Sequence, residues 1–314
     1  MWQTWLIVLC ILIVVIAVVV YAIYKLTTKG FPKPAYRRPQ FVPEPDKWSD
    51  TGLYIAWIGH STLLMRINGI TVLTDPVFSH KVGVRIPFLT IGPARHVSPA
   101  LEPEDLPPID VVLLSHAHLD HLDMPSLRAV VSPATEIVTA HGTGRLPRKF
   151  DAKHVHELAP GETLTLSCGL EISGQRVRHW GNRFPWNRRY GFLGYILKHA
   201  DWRVFFAGDT AYTQALSEVK AHHPDVTCMP IGAYAPETFQ GAHCTPEEAW
   251  KMFEDTGAQV LVPMHHDTFV LSRELVDEPL ARLIQAAGEK KNRIVITQHG
   301  QTFYAKSRQS LKRD

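Results

Sequence analysis

The stretch Ser115-His116-Ala117-His118-Leu119-Asp120-His121 decides the fold. It places three histidines and one aspartate within six residues. Directly before it runs Ile109-Asp110-Val111-Val112-Leu113-Leu114, an apolar run that reads as a buried strand. The cluster therefore sits at a strand end, where the backbone can aim several side chains into one space. Imidazole nitrogens and carboxylate oxygens are good ligands for zinc and neighbouring divalent metals. One tetrahedral ion cannot easily take all four groups from so short a segment, but two adjacent ions can share them. A solvated histidine-rich loop is the plain alternative, and it fits poorly directly behind a buried strand.

The same arrangement recurs downstream. His179 follows the predicted strand segment Ile172–Val177, Asp209 follows Phe205-Phe206-Ala207-Gly208, and His265 follows Val260-Leu261-Val262-Pro263-Met264. Taken singly, each reads as a capping or core residue. Taken with the cluster at 116–121, a donor after each strand is what a metal centre on one edge of a sandwich requires. Strands are predicted at 53–58, 62–67 and 70–74, with Asn68-Gly69 as a type I′ hairpin turn. Further strands are predicted at 136–140, 163–166, 170–178 and 193–198. The second half alternates strands at 202–207, 226–231, 259–264 and 293–298 with helices at 212–223, 246–255 and 273–287. A short helix is predicted at 125–131. Two sheets packed face to face, with helices on the outer surfaces, satisfy this order.

Composition suits a globular body of one large or two small domains, with 45% hydrophobic and 20% charged residues in a chain of 314. The formal charge of +3 is too small to suggest nucleic acid by itself. Cys10, Cys168, Cys228 and Cys244 form no CxxC pair and no disulfide framework. The segment 6–24 holds 19 residues with no charge, close to the ~20 that a helix needs to cross a bilayer. Trp2 and Trp5 stand at one end, Tyr21 and Tyr24 at the other, as interfacial residues do. No Lys or Arg precedes the run, and no good cleavage site follows it, so an uncleaved anchor over 1–24 is favoured over a signal peptide. Lys25, Lys29, Lys33, Arg37 and Arg38 follow, which puts the body on the cytoplasmic side. Five prolines make 25–50 a semi-rigid basic linker, and the body spans 51–314.

The motif His116-x-His118-x-Asp120-His121, then His179, Asp209 and His265, resembles the metallo-β-lactamase superfamily. Finer words resemble N-acylphosphatidylethanolamine-hydrolysing phospholipase D and its bacterial relatives. They include Trp57-Ile58-Gly59-His60-Ser61-Thr62, Leu73-Thr74-Asp75-Pro76, Pro230-Ile231-Gly232-Ala233-Tyr234 and His243-x-x-Pro246-Glu247-Glu248-Ala249. The resemblance runs from about 53 to 303. It implies an αββα sandwich with two divalent ions, usually zinc. His116, His118 and His179 would hold the first ion, Asp120, His121 and His265 the second, and Asp209 would bridge them. It further implies a phosphodiesterase that activates water, with Asp120 also orienting that water, and it makes a homodimer plausible. The chain departs from the pattern at His266-Asp267, where relatives carry Trp-Gly, and in the shorter loop 181–190.

Two more histidines are singled out. His243 precedes the helix start Thr245-Pro246-Glu247-Glu248, where free N–H groups favour an anion. It either contacts the phosphate and leaving group or fixes the loop. His60 lies in a tight Gly-His-Ser turn and reads as a supporting residue, and His266 as lying outside the ligand set. Three functions remain. The first is a membrane-anchored phosphodiesterase of phospholipase D type acting on a phospholipid. The second is a hydrolase of a lactone or small phosphodiester. The third is a non-catalytic anchored binding protein, which the intact set of seven donors disfavours. A membrane anchor and modest charge argue against nucleic acid as a partner.

Overall fold

The computed structural model describes residues 2–184, 186–187 and 189–311. The expected ends of the anchor and body, Met1 and residues 312–314, lie outside the described residues, as do Pro185 and Arg188 in the mouth loop. In chain order the first half contributes α1 (Trp2–Thr27), β1 (Leu53–Gly59), β2 (Thr62–Ile67) and β3 (Ile70–Thr74). It continues with β4 (Val84–Ile86), β5 (Leu89–Ile91), β6 (Val111–Leu114), α2 (Met124–Val130), β7 (Glu136–Ala140) and β8 (His154–Leu158). The second half contributes β9 (Thr163–Thr165), β10 (Glu171–Gln175), β11 (Gly194–His199), β12 (Trp202–Phe206) and β13 (Val226–Pro230). Then come α3 (Pro246–Thr256), β14 (Val260–Met264), α4 (Glu278–Ala287) and β15 (Thr302–Ala305).

Two sheets stack. One has the order β15-β1-β2-β3-β6-β7-β8, the other β14-β13-β12-β11-β10-β9. Side-chain alternation builds the layers. On β6, Val111 and Leu113 join the core between the sheets, while Val112 and Leu114 pack outward with Leu127 and Val130 of α2. On the second sheet, Phe206 and Val204 face inward, and Phe205 faces the cluster that holds Phe253 of α3 and Leu283 of α4. Strands buried on both faces read as continuous apolar runs, which is why β6, β13 and β14 stand out in the sequence. The result is an αββα sandwich.

The Asn68-Gly69 turn joins β2 to β3 with φ of 44° and 88°, as a two-residue I′ hairpin demands. Parallel pairing of β3, β6, β7 and β8, and of β12, β13 and β14, aligns their C-terminal ends at one rim of each sheet. The donors at 116–121, 209 and 265 follow such ends.

Three expected elements differ. The run 293–298 is not a strand: it touches β14 through one isolated bridge, Leu261 to Ile294, although Ile296 is fully buried. The closing strand is instead β15, paired antiparallel with β1. The helix expected from 273 starts at Glu278, with Pro279 in its first turn, where a proline bars the helix from running in from upstream; Glu274 accepts instead from the N–H groups of Ala233 and Ala235. The helix expected at 212–223 is a 3₁₀ segment, Gln214–His222. β4, β5 and β8 were not anticipated.

Helix α1 is long and apolar enough to cross a membrane, by length and composition. Its described side chains are exposed. The segment after it is fastened to the body. Arg37 N–H donates to His96 O (2.8 Å), Ser98 N–H donates to Arg37 O (3.2 Å), and Phe41 N–H donates to His299 O (3.4 Å). The Arg37 guanidinium also pairs with Asp267, so one of the five basic residues after α1 is neutralised within the body.

Candidate metal centre

All seven expected donors come together at one end of the sandwich. His116, His118, His179 and Asp209 offer donor atoms within 4.8 Å of one another. Beside them, His60, Asp120, His121 and His265 do the same. Asp209 joins the two groups. Its Oδ2 lies 3.1 Å from both His121 Nε2 and His265 Nε2, 3.7 Å from His179 Nε2 and 4.0 Å from His116 Nε2.

The backbone is bent to make this possible. His60, Asp75, Ala233, His265 and Asp267 all adopt positive φ, between 33° and 65°. Non-glycine residues there cost of order 1–3 kcal/mol each, and such strain concentrates at functional sites. Gly208, directly before Asp209, packs close on Ser115: at φ 60° a Cβ there would meet Ser115 Cβ at 2.6 Å.

Supporting hydrogen bonds fix the ring tautomers. Asp75 is fully buried. It accepts from Ser115 N–H (2.7 Å), Ser115 Oγ (2.5 Å) and His121 Nδ1 (2.7 Å). With its one proton given to Asp75, Ser115 Oγ accepts from His116 Nδ1 at 2.8 Å. His179 Nδ1 donates to Ala242 O at 2.8 Å. The unprotonated nitrogens of His116 and His179 therefore turn inward, 2.7 and 3.3 Å from His118 Nδ1. A proton on His118 Nδ1 would have to be shared between these two acceptors and cannot fully satisfy both.

The electrostatics agree. Burial alone would raise the Asp209 carboxyl, but His121 and His265 outweigh it and hold it well below the usual range. Asp120 behaves likewise, with His121, His265 and His60 overcoming burial. Burial opposes charge on His265, yet Asp209 and Asp120 push it up to about 9. Burial takes His118 down to about 4 and His179 to about 3, leaving both in the neutral form that ligates metals. In the metal-free cavity, protons on His121 and His265 supply the positive charge the carboxylates demand.

Among the described residues, His118 Nε2, His265 Nδ1 and Asp209 Oδ1 are buried with no hydrogen-bond partner, while His121 Nε2 and His265 Nε2 face the Asp209 and Asp120 carboxylates. An unmade buried hydrogen bond costs about 1–3 kcal/mol, so this many in one cavity signals a ligand. The donor set is nitrogen and oxygen only, since Cys244 Sγ donates to Pro230 O instead. It fits zinc-class divalent ions.

The sequence missed two supports. Asp75 ends β3, which pairs in parallel with β6, so the donor-after-strand rule applied to β3 could have found it. Arg183 donates to Ala117 O (3.0 Å) and Leu122 O (2.8 Å), clamping the cluster loop from the mouth. His60 supports from below, its Nε2 3.1 Å from Asp120 Oδ2. His243 is brought in: its Nδ1 lies 3.8 Å from Asp209 Oδ2 and its side chain is 17% exposed. His266 stacks on Trp57 at 4.6 Å, outside both donor groups. Its neighbour Asp267 takes His96 Nε2 (3.0 Å) and Arg37, tying the His265 turn to the segment after α1.

Replacing Asp75 by asparagine leaves one acceptor where three donors converge. The expected outcome is a 10- to 100-fold loss of metal affinity, roughly, read by competition with a chelating indicator while circular dichroism is unchanged.

A family model, the β-lactamase superfamily domain, matches residues 71–266. The chain belongs to the β-lactamase superfamily. Its paired donor groups place it among the metal-dependent hydrolases of that superfamily. An uncharacterized protein of Mycobacterium tuberculosis is 32% identical over 282 residues, covering 86% of this chain and 73% of its own length. The mitochondrial N-acyl-phosphatidylethanolamine-hydrolyzing phospholipase D of Saccharomyces cerevisiae is 30% identical over 276 residues. That match covers 82% of this chain and 57% of the yeast protein. Among solved structures, a possible metal-dependent hydrolase from Veillonella parvula superposes with a TM-score of 0.65 at 17% identity. It covers 81% of this chain and 100% of that one, and it shows the superfamily fold alone.

Proposed function

We propose that this chain is a membrane-anchored, dinuclear metal-dependent phosphodiesterase of phospholipase D type. Its substrates would be N-acylphosphatidylethanolamine-like lipids. The observation that carries the reading is the pair of donor groups sharing the Asp209 carboxylate. The yeast relative, a phospholipase D by name, supports the lipid class. Helix α1 supports the anchor, and Lys25, Lys29, Lys33 and Arg38 support a cytoplasmic body.

His116, His118 and His179 would hold one ion, Asp120, His121 and His265 the other, with Asp209 between them. Two such ions, zinc by preference, lower the pKa of water towards ~7 and offset charge on a phosphoryl oxygen. The protein's own groups do the rest. Asp120, with an 18% exposed side chain, accepts a hydrogen bond from the attacking water and orients it. His60 fixes that carboxylate from behind. His243 stands at the open side as a neutral ring, burial lowering it to about 4; it positions the phosphate and relays to the departing alcohol the proton that the attacking water gives up. The water oxygen–phosphorus bond forms, the bond from phosphorus to the N-acylethanolamine oxygen breaks, and phosphatidic acid remains.

The test uses the full-length chain in mixed micelles containing N-acylphosphatidylethanolamine, with His118→Ala as control. About two metal ions per chain and release of phosphatidic acid by the parent alone are expected. Bound metal without lipid turnover would overturn the substrate class and leave a hydrolase of lactones or small phosphodiesters.

A further inference from the structure

The β4–β5 hairpin has no core of its own. Val84, Ile86, Leu89 and Ile91 are exposed, and Phe88 at the tip is fully so. A two-stranded ribbon is marginal in water, and a contiguous exposed apolar patch marks an interaction surface.

What covers it follows from its neighbours. At the C-terminal end of α1, Tyr24, Thr28 and Phe31 line a cleft of about 300 Å³ together with Pro93, Ala94 and Leu271. Pro93 and Ala94 lie at the foot of the hairpin, where Ala94 bridges Lys81. Pro93 and Leu271 then form part of a second groove, of about 260 Å³, with Val82, Trp180, His118 and Asp120. One apolar wall thus faces the end of α1 on one side and the metal centre on the other.

The hairpin is also fastened to the donor loop. Arg85 donates to Ser79 Oγ (2.7 Å) and to Asp123 Oδ1 (3.0 Å). Asp123 caps α2 two residues after His121. Across the mouth, Trp180 is 51% and Trp186 is 81% exposed. Exposed tryptophans favour the membrane interface, and Lys25, Lys29 and Lys33 beside the cleft suit anionic head groups.

We propose that the Ile86-Pro87-Phe88-Leu89 tip is a bilayer-docking surface, immersed in the leaflet beside which α1 ends. It seats the mouth of the metal centre on the membrane, so that a lipid reaches His118 and Asp120 without crossing water. The docking rests on the anchoring part of the proposed function, and its consequence for turnover rests on the lipid substrate.

The experiment uses the full-length chain in nanodiscs of phosphatidylethanolamine with phosphatidylglycerol. A nitroxide is attached through Phe88→Cys in a chain also carrying Cys10→Ser and Cys168→Ser. A second chain carries the label through Gln309→Cys, at the far end of the sandwich. The expected result is a label at position 88 that collides with dioxygen more than with a water-soluble nickel chelate, and the reverse at 309. Equal nickel access at both positions would overturn the docking. In the same discs, Phe88→Ser with Leu89→Ser should lower lipid turnover about tenfold and leave hydrolysis of soluble bis-p-nitrophenyl phosphate unchanged. Equal losses on both substrates would overturn the delivery role. An immersed label in a parent that turns over no lipid supports docking and overturns the lipid substrate.

Discussion

Replacing Asp209 by asparagine is expected to lower kcat/KM for the phosphodiester by at least about 10³-fold and to reduce the metal content below about two ions per chain. The side chain keeps its size, so the change isolates charge. Asp209 Oδ2 lies within 4.0 Å of nitrogens from His116, His121, His179, His243 and His265. Among the described residues, no other carboxylate in the cavity comes within 4.0 Å of nitrogens from both donor groups. Asp120 lies 3.7 Å from His121 and His265, on the second group only. Asparagine would also remove the negative charge that His121 and His265, 3.1 Å away, face. Metal counting by inductively coupled plasma mass spectrometry, beside turnover of a soluble phosphodiester, checks both parts. Retention of full metal content with full activity would remove Asp209 from its bridging place.

His116, Asp209 and His265 were legible because each follows an apolar run that no surface loop would carry, whereas His179, behind the mixed run 172–178, was legible only beside them. β6, β12 and β14 are buried on both faces, so their ends announced themselves, and His116, Asp209 and His265 stood just beyond. Asp75 was hidden by its chemistry in sequence: Asp-Pro reads as a turn, and nothing local shows that its oxygens meet Ser115 and His121 some 40 residues away. β15 escaped because Thr302–Ala305 is four residues long and its outward Tyr304 is aromatic, which blurs the alternation, while the preceding Ile294-Val295-Ile296 carries the stronger apolar signal. What recruited Thr302–Ala305 was the open edge of β1, a tertiary fact that periodicity does not encode. The β4–β5 hairpin escaped for the opposite reason. It sits in a stretch that reads as a proline-rich loop, and its apolar residues face outward, where a pattern search expects polar ones.

Stripping the metals should cost stability as well as activity. A ligand that binds only the folded chain stabilises it by RT ln(1 + [L]/Kd), about 4 kcal/mol at a thousandfold excess over Kd. Two such sites would contribute about 8 kcal/mol, which for a chain of this size corresponds to a fall in Tm of about 12 °C on chelation. The apo cavity has no easy way to recover this. Among the described residues, Asp209 Oδ1, His118 Nε2 and His265 Nδ1 are buried without partners, and His265 sits on a strained backbone with φ 58°. Protons on His121 and His265 compensate the carboxylates only in part, because each also carries the cost of a charged imidazole in a fully buried position. Differential scanning calorimetry of the full-length chain in detergent, before and after treatment with a chelator and after restoring zinc, measures the shift. A drop that zinc reverses is expected. An unchanged Tm in a chain shown to be metal-free would mean that the cavity is held by its hydrogen bonds alone, with Asp75 and Ser115 as the frame.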